Sequence, residues 1–451
     1  MSTALVILAA GKGTRMNSDL PKVLHPIAHA PMLQHALVAG QTLQPERTIV
    51  IAGHGAETVR TALAEIDEDV EVIVQEEQLG TAHAVAQARD ALAGFAGNIV
   101  VLYGDTPFVS ADTLERMIEA HSDADLVVLG FTAADPGRYG RLVMDGNSLE
   151  RIVEYKDATD AERQIDFCNS GLMAGQATQI FDLIDKVDCA NASGEYYLTD
   201  LVGLARAEGL RVTAISCDEA ETLGVNSRVD LAQADQVFQA RTRMAMMEDG
   251  VTLMAPETVY FAFDTVIGRD SVIEPNVVFG PGVTVESGAQ IRAFSHLEGC
   301  HVSRGSKVGP YARLRPGAEL AEDTHIGNFV EIKNAEIAAG AKVNHLSYIG
   351  DASVGEKTNI GAGTITCNYD GVMKHRTEIG ARSFIGSNTM LIAPVSVGNE
   401  AMTATGTIVT KNIEDGALAL GRAEQENKPG RARKLMDILR AKKARLKKGA
   451  E

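Results

Sequence analysis

An apolar residue recurs at every sixth position through most of the second half of this chain, and that spacing constrains the fold more than any other feature. The beat runs Ile267, Ile273, Phe279, Val285, Ile291 and Leu297. After one step of five it runs Val302, Val308, Leu314, Leu320, Ile326 and Ile332. Further five-steps lead to Ile337, Val343 and Ile349, then to Val354 and Ile360. After a gap the beat resumes at Ile379, Ile385, Leu391 and Val397. Small or turn residues trail the apolar ones, as in Ile326-Gly327-Asn328 and Ile385-Gly386-Ser387. A helix needs a period of about 3.6 and a lone strand a period of 2, so six fits neither. It fits short strands joined by tight turns and wound into a parallel β-helix. Three such positions to a coil predict about seven coils, a rod of about 34 Å at roughly 4.8 Å per coil.

The first half alternates instead. Short apolar strand candidates fall at Leu5–Ala9, Thr48–Ala52, Val70–Gln75, Ile99–Tyr103 and Leu126–Phe131. Helical patterns lie between them, around Met32–Leu43, Ala56–Ile66, Thr81–Leu92 and Ala111–Ala120. This βαβα order predicts a Rossmann-like, mostly parallel sheet covered on both faces, with ligands at the carboxyl ends of its strands. From Asp230 to Met247 the chain reads as one helix, a linker. The expected domains are therefore 1–226, a linker helix at 227–248, a β-helix domain at 249–425 and a basic tail at 426–451.

The chain carries a net charge of −18, which argues against nucleic acid as a partner. No apolar run approaches the roughly 20 residues that span a membrane. The N-terminus lacks a basic leader and reads as a buried strand. Five cysteines without metal-ligand spacing suit reduced thiols in a cytoplasmic protein. The basic residues from Arg440 to Lys448 are read either as a solvated helix end or as an electrostatic aid to a polyanionic ligand.

Chemistry concentrates in two places. The segment Leu8-Ala9-Ala10-Gly11-Lys12-Gly13-Thr14-Arg15-Met16 directly follows the first strand. Gly11 and Gly13 let backbone N–H groups approach phosphate oxygens, and Lys12, Arg15 and Lys22 can neutralise a polyphosphate. The spacing is not that of a P-loop, and Met16 stands where a dinucleotide fingerprint needs its third glycine. Asp105 ends the apolar run Ile99–Tyr103-Gly104. It is placed either to hold Mg²⁺ or simply to make a turn or cap. In the repeat region, Arg313, Arg315 and Lys333 bring positive charge onto the rod. His345 follows an apolar beat by two residues, and the jump from Ile360 to Ile379 implies a loop leaving the coil. His345 is read either as a general base or as a turn-bonded histidine. Cys367 has no histidine beside it in sequence and is read as a packing residue.

The Gly-rich loop with Pro21-Lys22 resembles the signature of sugar-1-phosphate nucleotidyltransferases, and the hexapeptide beat resembles an acyltransferase superfamily. With Gln75, Gly80-Thr81, Tyr103-Gly104-Asp105, Gly140, Glu154, Asn169 and Asn226, and with the rod residues below, the chain resembles one family from Leu5 to about Arg422. That family is the bifunctional N-acetylglucosamine-1-phosphate uridyltransferases / glucosamine-1-phosphate acetyltransferases. The resemblance implies that Arg15 and the loop residues Leu8 to Gly13 bind the triphosphate of UTP, and that Gln75, Gly80 and Thr81 read the uracil. It implies that Gly140, Glu154 and Asn169 hold the sugar, and that Asp105 and Asn226 hold one or two Mg²⁺. On the rod it implies glucosamine 1-phosphate at Arg315, Lys333, Tyr348 and Asn359, and His345 as catalytic base. Acetyl-CoA falls at Ala362, Asn368, Tyr369, Ser387, Thr405 and Arg422; some members have alanine where this chain has Thr405. The resemblance also implies a left-handed coil, an exception to the right-handed crossover rule, and a homotrimer with acetyl-transfer sites between subunits. Two other readings stay open: a plain nucleotidyltransferase with a regulatory rod, and a trimeric scaffold without catalysis. The long rod, His345 and the loop at Thr366–Lys374 count against the first. Intact Arg15, Lys22, Asp105, Asn226 and His345 count against the second.

Overall fold

A computed structural model describes residues 2–191 and 193–448. It divides into two compact units. The first comprises the chain up to Glu248 together with Tyr260–Thr265, and the second the remainder.

The first unit is built on a sheet ordered β11-β7-β10-β6-β1-β4-β5. The strands are β1 (Thr3–Ala9), β4 (Arg47–Ala52), β5 (Glu71–Val74), β6 (Asn98–Tyr103), β7 (Leu126–Thr132), β10 (Phe167–Gln176) and β11 (Val212–Cys217). The short pair β2 (Pro26–Ile27) and β3 (Ala30–Pro31) forms a separate ribbon, and β8 (Arg141–Asp145) and β9 (Ser148–Val153) hang from β10. All pairings along the main order are parallel except those of β10, which runs antiparallel to β6 and β7. Strand β1 is buried along its whole length. Its side chains alternate between two cores: Ala4, Val6 and Leu8 face one, Leu5, Ile7 and Ala9 the other. Burial on both faces is why this strand reads as an unbroken apolar run rather than an alternating one.

The four expected helices are present as α1 (Met32–Gln41), α2 (Ala56–Ile66), α3 (Thr81–Ala86) and α4 (Ala111–Ala120), followed by α5 (Ala177–Ile184) and α6 (Asp200–Ala207). Helix α3 stops six residues short of the expected Leu92. Beyond it, Gln87, Ala88 and Arg89 donate to carbonyls three residues back, a tighter winding than the α-helix. The helix expected at Asp230–Met247 is α7 (Arg228–Glu248). Ser227 and Asp230 cap it reciprocally, at 2.9 and 3.2 Å. Gln239 of α7 exchanges two hydrogen bonds with the backbone of Phe261, at 2.8 and 2.9 Å, which ties residues 260–265 to this unit.

The second unit is a parallel β-helix whose hexapeptide beat is that of a left-handed coil. All twenty-one apolar positions of the beat are buried, none more than 7 % exposed. Its coils outnumber the expected seven. Leu253, Ile273, Ile291, Val308, Ile326, Val343, Ile360, Ile385, Thr403 and Ala419 stack along one face in ten strands, about 43 Å at roughly 4.8 Å per step. Seven of the ten belong to the beat; the other three are Leu253, which precedes its first position, and Thr403 and Ala419 at the far end, where no large apolar residue fills the inward position. Helix α8 (Arg431–Lys448) follows, exposed over the side chains described. The side chains of Lys447 and Lys448, and residues 449–451, parts of the basic tail, lie outside the described residues. Among the described residues no helix is long and apolar enough to cross a membrane.

Candidate active sites

The carboxyl ends of β1, β5 and β6 open into a cavity of about 270 Å³ lined by Leu8, Ala9, Ala10, Gly11, Lys22, Gln75, Gly80, Thr81, Tyr103 and Asp105. The position follows from the topology, since strand ends in a parallel sheet leave unpaired backbone and a crevice. Gly13 takes a left-handed φ of 57°, and a Cβ there would lie 2.7 Å from Cβ of Lys22, so the loop packs directly on the lysine stem. Gly80 has φ of 119°, and a Cβ there would come within 2.4 Å of the Tyr196 carbonyl oxygen. Around it, Ala82 donates to that carbonyl at 3.0 Å and Leu198 donates to the Thr81 hydroxyl at 2.9 Å. Gln75 is buried, with its amide held 2.9 Å from His83 Nδ1 and 3.2 Å from the Gly80 carbonyl.

An adjoining cavity of about 620 Å³ shares Thr81, Tyr103 and Glu195 with the first and adds Arg138, Glu154, Asn169, Tyr197 and Thr199. Gly140 keeps this wall open. A Cβ there would sit 3.5 Å from Glu154 Oε1 and 3.7 Å from Asn169 Cβ. Burial pushes the Glu154 carboxyl upward; Thr199 donates to it and opposes the shift, while Asp157 and Asp200 add to it. Burial, followed by the charges of Asp105 and Glu154, raises the Tyr103 phenol as well.

Three polar groups meet at the cavity floor. The Lys22 ammonium pairs with the Asp105 carboxylate and donates to Asn226 Oδ1 at 3.1 Å. The Asp105 carbonyl accepts from Val225 N–H at 3.0 Å, and Asn226 N–H donates to Asp230 at 2.9 Å, so both oxygen donors are fixed by backbone. A carboxylate and an amide oxygen aimed at one cationic point form a hard donor set, sparse enough that substrate phosphates and water would complete it, which suits Mg²⁺. Among the described residues no three His, Cys, Asp or Glu side chains cluster as an all-protein metal cage. Arg15 is exposed on the short turn Thr14–Met16 and does not line either cavity.

On the rod, His345 ends the strand Lys342–His345, in register with Asn328. Its Nδ1 lies 2.9 Å from Asn328 Oδ1. With the amide oxygen as acceptor, Nδ1 carries the proton and Nε2 keeps its lone pair. Corner hydrogen bonds stack Asn328, His345, Ala362, Ser387 and Thr405 in one column: Leu346 donates to Asn328, Gly363 to His345, Asn388 to Ala362 and Gly406 to Ser387. Arg422 donates to the Thr405 carbonyl at 2.5 Å. The histidine and four of the six residues expected to touch the coenzyme therefore share one edge of one rod.

Across the corner from His345, Arg315 and Lys333 stack in register, and Tyr348 closes over Gly350, where a Cβ would lie 2.3 Å from the phenol oxygen. Glu331 accepts from Arg315 at 2.9 Å and holds its guanidinium charged. The loop after Cys367 turns back on itself through Asp370, which accepts from Val372, Met373 and His375, and it brings Lys374 against Lys333. Contact with the Lys333 ammonium lowers the Lys374 ammonium. Asn368 donates to Asp351, which also accepts from Asn334 at 2.6 Å. Burial works to raise the Asp351 carboxyl, yet these donors and the two lysines leave it below the ordinary range. Tyr369 is exposed on the loop. Asn359 is not brought to His345; it stands in register with Lys342 and Phe384, three positions before the corner. Burial raises the Cys367 thiol, which disfavours a thiolate.

Glu195, Tyr197, Thr199 and Lys374 line or face these sites and were not among the residues singled out from sequence. All lie in or beside loops whose path only the fold sets. The Asx-turn pattern Asn191–Ser193 and the lysine inside the nineteen-residue gap were the available signals.

Residues 5–166 match the family model of the MobA-like NTP transferase domain, and residues 264–299 match that of bacterial transferase hexapeptide repeats. The chain is 78 % identical over 449 residues to the bifunctional protein GlmU of Ruegeria sp. (strain TM1040), covering 100 % of both chains. It is 73 % identical to that of Ruegeria pomeroyi, over 98 % of this chain and 99 % of the other. A UDP-glucose pyrophosphorylase complexed with UDP-glucose aligns at 17 % identity and a TM-score of 0.44, over 53 % of this chain and all of that one.

Proposed function

The chain belongs to the family of bifunctional GlmU proteins, and on that premise we propose that it makes UDP-N-acetylglucosamine from glucosamine 1-phosphate in two steps at two sites. The observation that supports this most directly is the pairing, in one chain, of two unlike built sites. One is a phosphate loop over Lys22, Asp105 and Asn226. The other is a histidine with a defined lone pair beside a cationic cradle. Residues 1–226 form the uridyltransferase domain and 249–425 the acetyltransferase, joined through 227–248, with the basic tail at 426–451.

At the rod site Arg315, Lys333, Lys374 and Tyr348 hold the sugar phosphate. His345 Nε2 takes the proton that the amine sheds as its nitrogen attacks the thioester carbonyl, and coenzyme A leaves as the thiol. No acyl-enzyme forms, in keeping with the raised Cys367 thiol. The coenzyme lies along the edge of Ala362, Ser387, Thr405 and Arg422, with Asn368 and Tyr369 at the loop. Asn359 serves the site from a neighbouring subunit of a homotrimer.

At the sheet site the phosphate of N-acetylglucosamine 1-phosphate attacks the α-phosphorus of UTP, and pyrophosphate leaves. Gln75, Gly80 and Thr81 read the base; Gly140, Glu154 and Asn169 hold the sugar. Asp105 and Asn226 would hold Mg²⁺, which when bound neutralises the phosphate charge. Lys22 and Arg15 supply positive charge to the phosphates, and positioning does the rest. Substrates are small molecules, and the enzyme is cytoplasmic, without nucleic acid or membrane insertion.

Incubation with glucosamine 1-phosphate, acetyl-CoA, UTP and Mg²⁺ tests the reading. Free thiol and pyrophosphate should both appear. Pyrophosphate from supplied N-acetylglucosamine 1-phosphate without thiol release would leave only the nucleotidyltransferase. Neither product would sink the proposal. Light scattering should give a trimer mass.

A further inference from the structure

Lys22 stands at the point on which two independently fixed oxygen donors converge. Asp105 is placed by the end of β6 and by its carbonyl bond to Val225, Asn226 by its backbone bond to Asp230. Neither placement depends on the lysine. Both side chains of the ion pair are largely covered, at 11 % exposure for Lys22 and 19 % for Asp105. A carboxylate so covered is costly without a counter-charge, and the ammonium supplies it. The lysine stem in turn packs beneath Gly13 of the phosphate loop. Its four-carbon chain can therefore carry the charge between the carboxylate and anything bound in that loop.

We infer that Lys22 is a stand-in cation. In the nucleotide-free chain its ammonium occupies the position between Asp105 and Asn226 and holds the two oxygens together. It gives them up when phosphate in the loop offers it another anionic partner. The inference rests on the reading of Asp105 and Asn226 as metal-binding oxygens. An ammonium and a divalent ion cannot share one position, so the lysine competes with metal in the free chain. Bound nucleotide relieves that competition by drawing the lysine away. Metal and nucleotide are then coupled through one side chain, each favouring the other.

The competition predicts that removing the lysine moves two properties in opposite directions. Mn²⁺ serves as the probe, with its free concentration followed by electron paramagnetic resonance on full-length protein without nucleotide. Lys22→Met should bind Mn²⁺ more tightly than the unaltered chain by roughly tenfold, the scale on which a hydrogen bond to a charged group counts. Its uridyl transfer should fall all the same. The gained affinity should vanish in Lys22→Met/Asp105→Asn, which shows where the ion sits. A lysine that only stabilised the fold would give no gain in metal affinity. Lys22→Gln, which keeps a donor but no charge, serves with the same expectation if the methionine variant melts early. Equal or weaker Mn²⁺ binding in folded Lys22→Met or Lys22→Gln overturns the inference. The underlying metal assignment is tested separately: if Asp105→Asn needs no more Mn²⁺ than the unaltered chain for uridyl transfer, that assignment fails with it. If Asp105→Asn does need more but the lysine variants gain nothing, the stand-in role alone is lost.

Discussion

His345 donates its Nδ1 proton to Asn328 Oδ1, from the neighbouring coil, across 2.9 Å. With Oδ1 as the acceptor, the bond leaves Nε2 available for the base role proposed for this residue, and it is made by the stacking of coils, since the two residues are in register on adjacent strands.

Replacing His345 with Ala should therefore remove acetyl transfer by a factor of about 10²–10⁴ while sparing uridyl transfer from supplied N-acetylglucosamine 1-phosphate. Asn328→Ala should lower the acetyl-transfer kcat by a smaller factor, on the order of tenfold, with little change in KM, because the ring loses its orientation and not its substrate contacts. Steady-state kinetics of both variants check this. A His345→Ala enzyme within a few-fold of normal at neutral pH would remove the histidine from the reaction.

Asp105→Ala should abolish uridyl transfer and leave acetyl transfer near normal, because the carboxylate serves only the sheet site. Parallel assays of thiol and pyrophosphate release decide it. Equal loss of both would contradict two separate sites.

Gly80→Ala should raise the KM for UTP strongly. The position needs φ of 119°, and the new methyl would meet the Tyr196 carbonyl at 2.4 Å. Strain of this kind costs about 1–3 kcal/mol, and it displaces the clasp of Thr81 on Leu198. Acetyl transfer measured on the same preparation should be unchanged.

Glu154→Gln should make the first unit more resistant to heat at neutral pH and above. Burial raises the native carboxyl above its unfolded value, so the folded chain holds that proton more tightly. The associated stability is full below the unfolded carboxylate range, about 4.3, and is lost as pH rises through the folded value. The glutamine cannot ionise and escapes that loss. Melting curves from pH 4 to 8 should show the variant's advantage shrinking toward the acid end. A constant difference across pH would mean that ionisation is not the cause. The same variant should bind the sugar phosphate less well.

The rod was legible because its inward positions admit only apolar residues of similar size at a fixed interval, and every one of the twenty-one read from the beat is buried. Legibility failed at the two ends, where Leu253 stands outside the six-residue spacing and Thr403 and Ala419 present no large apolar side chain, so the coil count is low. In the first unit the central parallel strands stood out because both faces are covered. Strands β8 to β10 did not, because Arg141, Glu150 and Arg151 interrupt the first two and β10 shifts register between Asn169 and Met173; β11, Val-Thr-Ala-Ile-Ser-Cys, carries no such interruption and was not among the strands expected. The loop Gly11–Gly13 and Asp105 could be placed from their position after a strand. Glu195 and Lys374 could not, since each reaches its site by a turn whose direction only packing determines. The placement of Asn359 away from His345 was equally hidden: a residue's column depends on how many five-residue steps precede it.

The edge that carries Asn328, His345, Ala362, Ser387 and Thr405 is graduated like a ruler. Each mark is one coil, about 4.8 Å from the next, and no backbone position along it can slide past its neighbour by a fraction of that amount without breaking the hydrogen bonds between coils. The span between His345 and Thr405 is thus quantised. Grafting one complete extra coil of about eighteen residues between Ile360 and Ile385 would preserve every orientation on the edge, yet lengthen the reach by one mark.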